Sequence, residues 1–253
     1  MRYIFDTNIW ANVSRKRLSC DDLRGKAGVQ IALAPLAIVE LVRGVVRGGE
    51  FRFAANRAMV ECMARDQPEI LELPKIFVHK LIWNLSSSIS GVRPEHYTLL
   101  MDLIVQSSSL AKFLAKAEAP GSVWKKMTDL YSIHESVLDK ELGSLKKLAE
   151  QASLKSIPVH ITRFYQLGGL RPDPEFLVFK FSAAVEFLVN SIAQVRNGAN
   201  PLKNNRGLYV DSQFFWYLGD PDLTIVTKED FSSDIKVSPQ ASRIISLDAF
   251  LQL

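Results

Sequence analysis

Arg2-Tyr3-Ile4-Phe5-Asp6-Thr7-Asn8-Ile9-Trp10 decides the fold of this chain. Tyr3, Ile4 and Phe5 form a short apolar run of β-prone residues, the pattern of a strand buried in the middle of a sheet. The run ends abruptly at a carboxylate, and a helical segment is predicted around Ile9 to Val13. A strand that turns into a helix at an Asp is the opening of an α/β fold.

The residues that follow repeat the pattern. After the polar Asp21-Asp22-Leu23-Arg24-Gly25 stretch, Val29 to Leu33 reads as a second strand. Pro35 suits the first turn of a helix, where a missing N–H costs nothing. That helix carries Ile38, Val39, Glu40, Leu41 and Val42 and should stop near Gly44 or Gly48. The end of the chain alternates again. Leu208-Tyr209-Val210 leads into Asp211, a helix is expected through Phe214, Phe215, Trp216 and Leu218, and Leu223 to Val226 and Arg243 to Leu247 read as strands.

Between these blocks the apolar residues take helical spacing. Val123, Met127, Leu130, His134, Val137, Leu138, Glu141, Leu142, Leu145 and Leu148 form one stripe with a single charge, Glu141, and Leu99, Leu100, Leu103, Ile104, Leu110, Phe113 and Leu114 form another. Breakers such as Pro94, Pro120-Gly121, Pro158, Gly168-Gly169 and Pro172-Asp173-Pro174 divide the stretch into a bundle of helices. The expected organisation is one α/β domain built from residues 1–49 and 203–253, interrupted by a helical insertion over 50–202.

Composition narrows the class. An apolar fraction of 47% and a charged fraction of 23% exclude a disordered or fibrous chain. A net charge of +4 is compatible with a polyanionic partner but does not demand one. Cys20 and Cys62 lack the close spacing of a zinc site and read most simply as two reduced thiols. The longest apolar stretch, Phe176 to Val195, contains Lys180, Glu186 and Asn190, so it reads as a buried helix and not a membrane span. Without a secretory pattern at its start, the chain is expected in the cytoplasm.

The chemistry lies where strands end. Asp6 and Glu229 each follow an apolar strand, and the carboxyl ends of parallel strands border the ligand crevice of an open sheet. Asp211 and Glu40 fall where a helix begins or runs beside such a crevice. Four carboxylates drawn together would repel one another, and a hard divalent cation such as Mg²⁺ or Mn²⁺ relieves that repulsion with oxygen ligands. Such ions activate water and stabilise the oxygens at a phosphodiester. Taken singly, each acid has a plainer reading, because Asp at a helix start is commonly an N-cap.

Four segments taken in order resemble the motifs of PIN-domain ribonucleases. Phe5-Asp6-Thr7-Asn8-Ile9-Trp10 is similar to the family's opening motif, and Pro35 to Gly44, with Glu40, to its second. Asp211-Ser212-Gln213 resembles the third, and Thr227-Lys228-Glu229-Asp230-Phe231 the fourth, 16 positions separating Asp211 from Thr227. The resemblance implies a three-layer α/β/α sandwich with a central parallel sheet and a Mg²⁺- or Mn²⁺-dependent endoribonuclease. Asp6, Glu40 and Asp211 would be its metal ligands, Glu229 would complete the site directly or through water, and Asn8 would orient Asp6 or a metal-bound water. It also implies RNA as substrate and, for stand-alone members, a toxin role with an antitoxin protein as partner; a homodimer is a further candidate assembly. The sequence departs from the family at Glu229, where an Asp is usual, with Asp230 as the reserve acid, and in the length of the helical middle.

Outside the motifs, Arg15-Lys16-Arg17, Arg43 and Arg47 are candidate phosphate contacts or a solvated face. Trp10 could stack on a base but more simply fills the core, as do Phe214, Phe215 and Trp216. Thr227 is a candidate partner for a ligand carboxylate. Two alternatives remain open: a structure-specific DNA nuclease using the same acids, and an inactive scaffold binding nucleic acid or protein through the helical middle.

Overall fold

The computed structural model describes residues 1–26, 28–85, 93–197, 212–231 and 234–253. Its centre is a five-stranded sheet in the order β3-β2-β1-β4-β5, with every pairing parallel. The strands are β1 (Arg2–Phe5), β2 (Gln30–Leu33), β3 (Glu69–Ile70), β4 (Leu223–Thr227) and β5 (Ile244–Ser246). The helices, in chain order, are α1 (Thr7–Ser14), α2 (Cys20–Arg24), α3 (Pro35–Arg47), α4 (Gly49–Ala64), α5 (Pro74–Trp83), α6 (Pro94–Val105), α7 (Leu110–Ala117), α8 (Val123–Gln151), α9 (Ile157–Ile161), α10 (Pro174–Lys180), α11 (Ser182–Arg196) and α12 (Leu247–Leu251).

Strand alternation sorts the side chains onto two faces, as a pleated ribbon must. Tyr3 and Phe5 of β1, Ile31 and Leu33 of β2 and Val226 of β4 pack with α1, α3, α4, α6, α7 and α12. Ile4, Ala32, Leu223 and Ile225 point the other way and pack with α9, α10, α11 and the 3-10 helix Gln213–Gly219. Apolar cores on both faces of a parallel sheet make a helix–sheet–helix arrangement. Helix α8, 29 residues long, serves both: Met127 joins the first core, and Leu142, Leu145 and Ala149 join the second.

The middle of the chain is therefore not only helical. Glu69–Ile70 supplies the edge strand β3, pairing with the end of β2 through Ala32↔Glu69 and Leu33↔Ile70. Two residues beside Pro68 are too short for alternation to announce a strand. Arg2 closes the amino-terminal edge by bridging Glu69 at 2.6 Å and Asp220 at 2.5 Å.

Two long helical readings break in the structure. The 97–116 run divides into α6 and α7 at Gln106–Ser109, where Ser107 bonds back to the Leu103 carbonyl and Ser109 caps α7 at Lys112; serine side chains compete with the helix for backbone partners. The 176–195 stretch bends by 105° between α10 and α11. Gln240 holds that bend. Its amide oxygen accepts from Ala183 N–H at 3.0 Å, and its amide nitrogen donates to the carbonyls of Lys180 and Leu218 at 2.8 and 2.9 Å. Two backbone groups orphaned by the break are thus satisfied, and a third bond ties the bend to the 3-10 helix Gln213–Gly219. Gly219 leaves room for the bend, since a Cβ there would stand 2.2 Å from the Phe181 ring. No single helix among the described residues is long and apolar enough to cross a membrane.

Cys20 and Cys62, expected as reduced thiols, are joined as a disulfide with their Cα atoms 5.6 Å apart. They meet because α1, which leads to Cys20 at the start of α2, packs beside α4, which carries Cys62, a tertiary proximity that a separation of 42 positions conceals in the sequence.

Candidate active site

The chain leaves β1 toward β2 and β3 on one side, and later returns to add β4 and β5 on the other. The carboxyl ends of β1 and β4 therefore flank the point where the strand order reverses, the place where open parallel sheets bind ligands. Asp6 stands there. Its backbone N–H continues the β1–β4 ladder by donating to the Val226 carbonyl at 3.1 Å, so the sheet itself sets its position.

Asp6 is 5% exposed, and both oxygens of its carboxylate accept hydrogen bonds. Oδ1 accepts from Ile9 N–H at 2.8 Å, which makes Asp6 the N-cap of α1. Oδ2 accepts from the Thr227 hydroxyl at 2.6 Å and from Lys228 N–H at 3.2 Å. The plain N-cap reading and the site reading are thus one arrangement: the cap turns the carboxylate, and Thr227 fixes it. Thr227 also accepts from Glu229 N–H at 3.0 Å, linking the fourth motif to the first.

The next two residues reach the other acids. Thr7 donates its hydroxyl to Glu40 Oε2 at 2.9 Å. Asn8 donates its amide to Glu229 Oε1 at 3.2 Å, so its partner is Glu229 and not Asp6. Asn8 is steadied in turn by Asn12, a buried polar residue whose amide donates to the Asn8 carbonyl at 2.9 Å. Asn12 escaped the sequence reading; its only signal is a polar residue one helical turn beyond Asn8, on a face that otherwise buries Ile9.

Three of the four expected acids, Asp6, Glu40 and Glu229, thus border one end of α1, Asp6 buried and the two glutamates exposed. Asp211 lies outside the described residues, and so does the Leu208-Tyr209-Val210 run before it. The expected helix through 214–218 is the 3-10 helix Gln213–Gly219, every residue of which is buried. Phe214, Phe215 and Trp216 belong to the core, and Trp10, 1% exposed, packs edge-on against Phe5 and is not available to a base.

The donors at this end of the sheet are carboxylate oxygens with hydroxyl and amide support, a set suited to a hard divalent ion and not to zinc or copper. Among the described residues, no group of three or more His, Cys, Asp or Glu side chains stands close enough to hold an ion. Asp6, Glu40 and Glu229 are neighbours joined through Thr7 and Asn8 rather than a closed cage.

The basic residues are set back from the acids. Arg15, Lys16 and Arg17 are exposed at the far end of α1, which at eight residues spans about 12 Å. Arg47 is exposed on α3, two turns beyond Glu40, with Arg43 half-buried between them.

Compared with known proteins, the chain matches no family model, no curated protein and no solved structure.

Proposed function

We infer that this chain is a metal-dependent ribonuclease of the PIN kind, hydrolysing RNA phosphodiester bonds at the carboxyl ends of β1 and β4. One observation carries the reading. A buried aspartate at the reversal point of a parallel sheet is held by three hydrogen bonds, and the two residues after it each bind a further acid. Backbone and hydroxyl donors fix the carboxylate's orientation, and an open α/β sheet binds ligands at this point.

Asp6, Glu40 and Asp211 would hold a Mg²⁺ or Mn²⁺ ion, with Glu229 completing the set directly or through water. When bound, such an ion supplies an activated water and neutralises charge on the phosphate. The chain's own residues prepare for it. Thr227 and Lys228 N–H orient Asp6, Thr7 orients Glu40, and Asn8 orients Glu229 across the mouth of the site. The exposed Arg47 and the Arg15–Arg17 cluster would follow the phosphates of a bound strand away from the acids. An antitoxin protein or a second copy of the chain belongs to the same proposal as a partner, and a cytoplasmic location as its setting. The Cys20–Cys62 disulfide tests the setting, because such bonds persist mainly in oxidising compartments.

The deciding experiment measures Mn²⁺ binding by calorimetry and cleavage of single-stranded RNA and of flapped DNA by wild type and by Asp6→Asn. Mn²⁺-dependent RNA cleavage lost in Asp6→Asn supports the proposal. Cleavage of flapped DNA alone assigns the site to DNA instead. Folded protein that neither binds Mn²⁺ nor cleaves overturns the enzyme reading and leaves a binding scaffold.

A further inference from the structure

Beside the acids lies a hollow of about 330 Å³ between the ends of β4 and β5. This volume is at the small end of the range for ligand pockets, fitting one compact group. Its inner wall is apolar, made by Phe231, Ile235, Ala241, Ile244 and Ile245. Its rim is charged: Lys228, Glu229 and Asp230 line it and are exposed. The hollow opens at the same edge of the sheet as Asp6, since Thr227 pairs with Ser246 in the β4–β5 register and both residues line it.

Three residues belong to both places, Thr227 through its bond to Asp6 at 2.6 Å and the two that follow it. Lys228 bonds Asp6 through its N–H at 3.2 Å and lines the hollow. Glu229 accepts from Asn8 at 3.2 Å and lines it as well. A group seated in the hollow is therefore adjacent to a phosphate placed at Asp6. Flat, heteroaromatic groups with a polar edge match an apolar wall beneath a polar rim, and proteins that read single-stranded RNA seat unstacked bases in this way. The rim carries two carboxylates, Glu229 and Asp230, to one cation, Lys228, so acceptors outnumber charged donors and favour bases whose exocyclic amino group donates, which uracil lacks.

We propose that this hollow is a nucleobase subsite that takes one unstacked base next to the scissile phosphate and favours bases bearing an exocyclic amino group. The proposal rests on the nuclease reading for its orientation, but base binding there requires no metal. It is tested by fluorescence anisotropy in EDTA, with the full chain and labelled hexanucleotides A6, C6 and U6.

The expected result is that A6 and C6 bind on the order of tenfold more tightly than U6. Filling the hollow with Ala241→Leu should erase the difference, and Ala241→Ser should retain it, both with melting curves confirming the fold. Equal affinity of the wild type for all three oligomers overturns the subsite whether or not Ala241→Leu folds, and so does an undiminished preference in a folded Ala241→Leu protein. Base preference without Mn²⁺-dependent cleavage would sustain the subsite while the nuclease reading fails. Cleavage without base preference would do the reverse.

Discussion

Replacing Thr227 with valine tests the central claim about how Asp6 is held. The two side chains have nearly the same shape, and Thr227 is 4% exposed, so the change removes a hydroxyl without opening a cavity. It deletes a 2.6 Å bond to a buried carboxylate and the acceptor of Glu229 N–H at 3.0 Å. A hydrogen bond to a charged group is worth about 1.5–3 kcal/mol net, which sets the expected loss at about 2 kcal/mol. For a chain of this size that corresponds to roughly a 4–8 °C fall in melting temperature. Urea unfolding of wild type, Thr227→Val, Asp6→Ala and the double variant gives the coupling directly. If Thr227 acts through Asp6, the double variant should be more stable than the sum of the singles by about 1–2 kcal/mol. Additivity within about 0.5 kcal/mol would refute the arrangement. In the nuclease assay, Thr227→Val should reduce Mn²⁺ affinity before it reduces folding, a split that loss of packing alone would not produce.

Three further outcomes follow from other parts of the fold. Gly219→Ala drives a Cβ into the buried Phe181 ring at 2.2 Å and should cost about 2–3 kcal/mol by denaturation, with Phe181→Leu restoring part of it; an unaffected single variant would show that the α10–α11 bend does not depend on this contact. Reducing the Cys20–Cys62 disulfide opens a loop of 42 positions and should lower stability by about 4 kcal/mol on the chain-entropy estimate, read as a melting shift with and without reductant that vanishes in the Cys20→Ser/Cys62→Ser protein. His79 is held below its ordinary value of 6.5, first by burial and then by the charge of Lys75, with the Tyr165 backbone opposing. Below that ordinary value the unfolded chain takes up the proton more readily than the folded one, so His79's stabilising contribution is present near neutrality and is lost as pH falls from about 6.5. His79→Leu should flatten the dependence of melting temperature on pH between 7 and 5, and an unchanged slope would show that His79 does not set it.

Much of the fold was legible because burial on both faces forces strands into continuous apolar runs and helices into periodic stripes. Tyr3-Ile4-Phe5, Leu223 to Val226 and the stripe from Met127 to Leu148 all carry this signature. The acids at strand ends were legible for a related reason, since a carboxylate after an apolar run has no place inside the strand. Residues whose role depends on a distant partner left no such trace. Asn8 reads as a partner of Asp6 or of a bound water until β4 brings Glu229 across 221 positions to meet it. Gln240 is an unremarkable glutamine in the sequence, and only the packing of α11 against its loop turns it into the group that satisfies a broken helix.

The sequence by itself determined that this chain builds an α/β sheet with Asp6 at the end of its first strand, because that follows from local hydrophobicity and the polarity of one side chain. Tertiary structure alone decided the rest. It brought Thr227 onto Asp6, Cys20 onto Cys62 and the two-residue β3 onto β2. It set Glu40 and Glu229 on the two residues that follow Asp6, and it left a hollow beside them. These features are pairings between residues far apart in the chain. Their free energy exists only once the sheet has aligned both partners, so no local pattern announces them.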